Sequence, residues 1–327
     1  MIAAAGTVAL LAAVSAVATW LTLRYARRRL LDLPGERRSH SVPTPRGGGL
    51  GITVALLLGT LPAVAGGVLA PMPAAAFAVG LVLVAGIGWI DDHRPLSPWS
   101  RLAIQCLAGL VLGAGVHAGQ GELRWALLAF AAVPVLVNVW NFMDGIDGIA
   151  ITQAMIALAS FAMVTPPAVS LLAWAACAAC LGFLPFNWPR ARIFLGDVGS
   201  GTLGYLLAAV LVWTVASLWE SRGWNVLVLV LPLSAFLVDA SMTLARRVLQ
   251  GERFWLPHVS HLYQRWAKHA GSHPAVSNYY GLFSLLAGLL TYVAVASGTV
   301  IAVAATVLWL VLAAVIWLVQ GRRIQHT

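Results

Sequence analysis

The stretch RWALLAFAAVPVLVNVWNFMDGIDGIAITQAMIALASFAMV, Arg124 to Val164, consists of two apolar runs of helical length joined by a polar break. Each run approaches the roughly 20 residues that cross a bilayer as a helix. The break places Asn138, Asn141, Asp144 and Asp147 at a strict spacing of three. On a 3.6-residue helix that spacing drifts by about 60° per step, so four such groups sweep roughly half the circumference and cannot share one narrow face. Gly145 and Gly148 allow the backbone to leave the helix and expose amides, and a broken helix at a membrane boundary is tolerated where it lines a cavity. The stretch therefore predicts a membrane helix, a break that gathers four polar groups on a ligand, and a second membrane helix. The plainer reading is a helix-end turn with asparagine caps. The spacing is not that of an EF-hand loop.

The rest of the chain follows the same pattern. Its 327 residues are 60% hydrophobic and 9% charged, with mean hydropathy +0.87. Soluble domains do not have this composition. Eleven spans are expected, at 2–22, 48–69, 74–91, 101–118, 124–142, 147–164, 167–185, 201–218, 225–244, 276–296 and 299–319. The fold class is all-α, a polytopic membrane helix bundle forming one domain over 1–327, with no internal repeat. If the 24–47 loop is cytoplasmic, alternation puts 18 of the 20 Lys and Arg on that side, leaving Arg124 and Arg222 outside. The positive-inside rule then sets the N-terminus outside and the C-terminus in the cytoplasm. The first segment carries its arginines after the apolar run, so it reads as an anchor rather than a cleaved signal. The net charge of +9 is explained by this topology, so nucleic acid is not an expected partner, whereas membrane lipids and anionic substrates are. Cys106, Cys177 and Cys180 fall inside apolar spans and read as packing residues, the CAAC spacing lacking a redox fold around it.

With only 11 carboxylates in the chain, their placement at or inside span ends implies a cation and phosphate site. Asp91 and Asp92 end the third span, where a helix dipole favours cations and the two charges repel. Counter-charge from Arg94 and Arg101 is the purely structural reading; a divalent ion or a proton-abstracting role accounts better for the doubled aspartate. In FLGDVGSGTLG, Asp197 stands among glycines before the eighth span, with Ser200 as the expected N-cap. Glycine-rich backbone at a helix N-terminus binds anions, and a carboxylate beside it can hold the magnesium that neutralises a diphosphate.

Three further segments carry candidates. PHVSHLYQRWAKHAG reads as a short helix from Pro257 to Gly271 whose His258, His261, Arg265 and Lys268 make one basic face for substrate phosphate. The first basic loop offers Arg37, His40, Thr44 and Arg46 followed by three glycines. Asp239 lies near the inner end of the ninth span, functional by default or paired with Arg246 or Arg247.

Together, RRSHSVPTPRGGG, DDHRP, NVWNFMDGIDG, FLGDVGSGTLG and PHVSHLYQRW closely resemble the polyprenyl-phosphate N-acetylhexosamine-1-phosphate transferase family across nearly the whole chain. The resemblance implies transfer of a sugar-1-phosphate from a UDP-N-acetylhexosamine to undecaprenyl phosphate with release of UMP. The cofactor implied is magnesium, with manganese as its substitute. It implies Asp197 as metal ligand and Asp91 and Asp92 as the acidic pair of which one deprotonates or positions the lipid phosphate. Asn138, Asn141, Asp144 and Asp147 become nucleotide and diphosphate contacts, and His258 and His261 the cytoplasmic histidine motif. Pro95 stands where many relatives carry an acidic residue or lysine. HVSH replaces a run of three histidines, and Ser39 stands where the pentapeptide translocase has lysine. The last two differences point toward O-antigen-type initiators of surface polysaccharide, in a bacterial inner (cytoplasmic) membrane with the site on the cytoplasmic face. A homodimer is compatible with the sequence. The rival reading is a secondary transporter or lipid flippase, which would place its site near the midplane between inverted repeats.

Overall fold

The computed structural model describes residues 2–33, 35, 42–188, 190–253 and 258–324, with side chains described from Gly6 onward. Among them are twelve α-helices: α1 Ile2–Arg29, α2 Leu50–Ala65, α3 Pro71–His93, α4 Pro98–Gln120, α5 Leu123–Phe142, α6 Ile149–Val164, α7 Pro167–Asn187, α8 Gly196–Arg222, α9 Ser234–Leu249, α10 Leu262–Ala270, α11 His273–Ala294 and α12 Thr299–Arg323. A two-residue strand β1, Leu31–Asp32, pairs antiparallel with β2, Thr44–Pro45. The chain is a polytopic helical membrane protein, and each expected span overlaps a helix, the ninth, 225–244, being divided between a 3-10 segment, Gly223–Leu233, and α9. Seven helical stretches are long and apolar enough to cross a bilayer. One of these, Gly196–Leu249, is 54 residues long, about 80 Å of helix at 1.5 Å per residue, more than twice a hydrocarbon core. It is therefore folded back: Gly223 takes φ 51°, and a 3-10 segment, Gly223–Leu233, leads into α9. The 16-residue α2 and α6 are shorter apolar helices.

Helix starts follow local chemistry. Prolines sit in the first turns of α3, α4, α7 and α11, where a missing N–H costs nothing. Ser97 accepts the Trp99 N–H and Ser272 the Ala275 N–H, capping α4 and α11.

α8 is buried along most of its length and packs against α2, α3, α5, α6 and α7. A helix apolar all round belongs at the centre of a bundle. Its first turn emerges at one end, beside the C-terminal ends of α3 and α5. The Tyr25 hydroxyl bonds His93 Nε2 at 2.9 Å, bringing the basic end of α1 to that end as well. Arg265 Nη2 donates to Gly321 O at 3.0 Å, which adds the basic end of α12. At the opposite end Arg124 pairs with Glu122 and Glu220 over Trp125 and Trp219. The bundle is thus basic at one face and carries its carboxylate cluster there.

Candidate active site

Three segments distant in sequence meet at the start of α8. The backbone of 45–49 runs along 194–195: Phe194 N–H donates to Pro45 O at 2.8 Å, Gly48 N–H to Phe194 O at 2.9 Å, and Gly49 N–H to Leu195 O at 3.0 Å. A Cβ on Gly49 would lie 2.1 Å from Gly199 Cα, so only glycine allows this approach. The triple glycine is the seat of the α8 N-terminus.

Asp92, 2% exposed, closes that N-terminus from α3. Its Oδ1 accepts Asp197 N–H and its Oδ2 accepts Val198 N–H, both at 3.1 Å. Arg46 backs it, donating from Nη2 to the Asp92 carbonyl with Nε 3.6 Å from Oδ1. Two of the amides at this helix start, those of Asp197 and Val198, are thus taken by the chain's own carboxylate. Ser200 is not the N-cap; α8 begins at Gly196, and Ser200 Oγ instead accepts from Asn141 Nδ2 at 3.1 Å.

Asp91 faces the other way. It accepts the Leu96 N–H at 2.6 Å, and Arg101 Nη1 lies 3.1 Å from its Oδ2. The same Arg101 nitrogen is 3.2 Å from Asp197 Oδ2, while Asn141 Nδ2 donates to Asp197 Oδ1 at 2.8 Å. One guanidinium therefore bridges two carboxylates beside a small cleft lined by α3, α4, α5 and α8. Arg101 entered the sequence reading only as a counter-charge for the aspartate pair, whereas the cluster turns on it. Its signal was a lone arginine at the very start of an apolar span, ten residues beyond Asp91. Gln105, on the same cleft, carried none.

The four polar groups of the 138–147 break do not converge, which corrects that expectation. Helix α5 ends at Phe142, so the break is real, but the side chains part. Asn138 Nδ2 donates to Gln105 Oε1 at 2.6 Å and to Pro134 O at 2.7 Å, down in the bundle. Asn141 reaches Asp197. Asp147 Oδ2 accepts the Ala191 N–H at 3.2 Å, and its Oδ1 lies 3.5 Å from His273 Nδ1, tying the break to the 188–195 loop and α11. Asp144 is left toward the cluster, where no described residue donates to its carboxylate. Burial and the nearby charges of Asp197, Asp92 and Asp147 push it well above the usual carboxylate range. The glycines act as spacers: a Cβ on Gly148 would meet the Trp188 ring at 2.2 Å, and one on Gly145 the Tyr263 hydroxyl at 2.3 Å. Asn187, which sequence reasoning missed, accepts the Gly148 N–H and donates to Ile193 O.

The histidine segment is also corrected. Helix α10 begins at Leu262 with His261 in an extended N-cap conformation, so His258 lies outside it and no single basic face forms. The two imidazoles still approach, with ring centroids 4.9 Å apart. His261 is 3% exposed and lies over Phe142. His258 is pushed down to about 4, chiefly by burial and then by the charges of His261, Arg247 and Arg246. Arg265 is spent on the end of α12 rather than on the carboxylates. Thr44 is buried in β2, its hydroxyl donating to Val42 O. Arg37 and His40 lie outside the described residues, as does Pro257.

No group of three or more His, Cys, Asp or Glu side chains positioned to hold a metal occurs among the described residues. The donor set nevertheless suits a hard cation that arrives with its substrate. Magnesium takes one or two carboxylates and completes its shell with water and phosphate, and Asp144 is a carboxylate that no described residue pairs with, near Asp197.

The sequence profile of glycosyl transferase family 4 matches residues 74–215, which include every aspartate of the cluster but not Arg46, His258 or His261. The decaprenyl-phosphate N-acetylglucosaminephosphotransferase of Mycobacterium tuberculosis is 30% identical over 313 residues, covering 81% of this chain and 74% of that protein. The probable undecaprenyl-phosphate N-acetylglucosaminyl 1-phosphate transferase of Bacillus subtilis is 26% identical over 260 residues, covering 74% and 71%. The phospho-N-acetylmuramoyl-pentapeptide-transferase of a Synechococcus species is 32% identical over 230 residues, covering 62% and 66%.

Proposed function

Since the chain belongs to glycosyl transferase family 4, we propose that it transfers N-acetylhexosamine-1-phosphate from a UDP-linked donor to undecaprenyl phosphate, releasing UMP. The observation that carries this reading is the convergence of Asp91, Asn141, Asp197 and Arg101 at one end of a membrane bundle. A lipid phosphate must stay anchored in the bilayer while its head meets a water-soluble donor. A cleft at a helix-bundle end meets both demands.

In the reaction an oxygen of the lipid phosphate attacks the β-phosphorus of the donor. The bond from that phosphorus to the bridging oxygen breaks, and UMP departs with the bond's electrons. A phosphate monoester has its second pKa near 6, so the lipid head is largely dianionic at neutral pH and the barrier is chiefly anion repulsion. Arg101 lowers it by exchanging its carboxylate partners for phosphate oxygens. Asp91, with its side chain 11% exposed, takes any remaining proton and orients the head; Asp92 holds α8 in place. Asp197, with Asp144 and Asn141 beside it, would hold magnesium, which supplies the positive charge that screens the diphosphate. His258 and His261, whose ring centroids lie 4.9 Å apart, are assigned in this reading to the donor's phosphates.

The positive-inside reading of the sequence, which by alternation of spans assigns 18 of the 20 Lys and Arg to one side, supports a site open to the cytoplasm in the bacterial inner membrane. The product, a lipid-diphosphate sugar, is the first intermediate of surface polysaccharide assembly, O-antigen among others.

The test is UMP release by the purified chain in detergent, given undecaprenyl or decaprenyl phosphate, Mg²⁺ and a panel of UDP-N-acetylhexosamines. Release that needs both lipid and metal supports the proposal. A folded sample inactive with every donor would overturn it.

A further inference from the structure

Asp239, in α9, is 1% exposed, yet it pairs with neither arginine expected from sequence. Arg246 Nη2 donates to Ser260 O, and Arg247 pairs with Glu252. The carboxylate is met instead by five hydrogen-bond donors from four helices. Its Oδ1 accepts the Leu262 N–H at 2.9 Å, Trp317 Nε1–H at 3.1 Å and the Thr243 hydroxyl at 3.2 Å. Its Oδ2 accepts the Tyr280 hydroxyl at 2.8 Å and the Tyr263 N–H at 3.1 Å.

The two amides are the first of α10. Asp239 therefore caps α10 from another helix, as Asp92 caps α8, satisfying free N–H groups and the positive end of the dipole. Helix α8 lines the cleft, and α10 packs against α9, α11 and α12. The position of α10 is passed on by Tyr263, whose hydroxyl donates to Phe142 O at 3.0 Å beside the break that carries Asp144. It is passed on also by His261, whose Nδ1 lies 3.8 Å from Asp239 Oδ1 with no hydrogen-bond partner among the described residues.

We propose that Asp239 is a positioning residue for the transfer reaction: it locks the start of α10, and with it His258, His261 and Tyr263, in register with the Asp144 break. This rests on the transferase reading for its kinetic consequence, though not for its structural one. An ionised carboxylate is the one side chain of this size that accepts on both oxygens. Asparagine at 239 would turn an N–H toward groups that themselves donate, and at least one α10 amide would lose its acceptor.

The experiment is hydrogen exchange and kinetics on the full chain in detergent. In Asp239→Asn, exchange across 262–270 should accelerate about 10-fold or more through local opening, with α3 and the start of α8 unchanged. Turnover should fall about 10- to 100-fold, the range for residues that orient a site group. In a His261→Ala background the same change should cost under about 3-fold, because both substitutions release one unit. Unchanged exchange in 262–270, or full additivity with His261→Ala, would overturn the proposal. If Asp239→Asn does not fold, Tyr280→Phe and Trp317→Phe each remove one donor and should show a smaller acceleration in the same segment; none in either would equally overturn it. If the wild-type chain transfers nothing, the exchange result still decides whether Asp239 locks α10, and it is the transferase reading that fails.

Discussion

The Asp92 carboxylate accepts the main-chain N–H of Asp197 at 3.1 Å, across 105 residues of sequence. This bond resolves the two adjacent aspartates into different roles. Asp92 answers the positive end of α8, and Asp91 is left to Arg101 and the cleft.

The two aspartates should therefore separate on substitution. Asp92→Asn loses a charge-assisted cap and should lower stability by about 1–2 kcal/mol along with activity. Asp91→Asn should leave the melting temperature near wild type while turnover falls about 100-fold or more. Thermal melts beside UMP-release rates check this; equal loss of stability in both variants would refute the division.

Gly196 tests the geometry directly. It has φ 73°, and a Cβ there would lie 2.5 Å from Asp92 Oδ2. Gly196→Ala combines a backbone penalty with overpacking and should cost about 2–4 kcal/mol. Gly67→Ala, at φ 69° with nothing within 4 Å, should cost only the backbone part, about 1 kcal/mol. Melting of the two variants side by side separates the contributions.

Arg101 holds Asp91 and Asp197 in the free protein. Arg101→Gln should lower kcat/KM about 100- to 1,000-fold, as loss of one transition-state donor does. Lysine at 101 keeps the charge but reaches the carboxylates as a point, and should recover only part. Steady-state rates with varied donor measure both.

Asp144→Asn should stabilise the free protein, because it removes a like charge from beside Asp197, Asp92 and Asp147. A gain of about 1 kcal/mol, some 2–4 °C in a chain of this size, is expected. The same variant should need a higher Mg²⁺ concentration for half-maximal rate. A fall in melting temperature, or an unchanged Mg²⁺ requirement, would show that Asp144 is not waiting for a cation.

His258 should be neutral throughout the range from pH 5 to 8, since the protein pushes it down to about 4. Its folded pKa lies below the ordinary value near 6.5, so the unfolded chain binds more protons between the two. Stability is therefore lost as pH falls from about 6.5 toward 4. Melts at pH 7.5, 6 and 5 should show a steeper acid loss in wild type than in His258→Gln.

Much of this was legible without coordinates. Helix type, the placement of the apolar helices and the end that carries charge follow from apolar run length, proline and glycine punctuation and the placement of arginine, because a bilayer admits few alternatives. The break after Phe142 was legible for the same reason. The spacing of three among Asn138, Asn141, Asp144 and Asp147 ruled out one shared face, but not where each side chain goes. Their divergence depends on Gln105, Asp197, Ala191 and His273, which come from four other segments.

What the sequence determined by itself, then, is the kind of molecule and the roster of charged groups at one end of it. The partners of those groups were decided by tertiary structure alone. In sequence Asp92 reads as half of an acidic pair at a span end and Asp239 as a functional group or the partner of Arg246 or Arg247, yet each is consumed by the N-terminus of another helix. Arg101 looks like a simple counter-charge, yet it bridges two carboxylates 106 residues apart. Local patterns record which residues must leave water. A buried charge is settled by whichever donors the packed bundle brings within about 3 Å, and that is a property of the assembled helices.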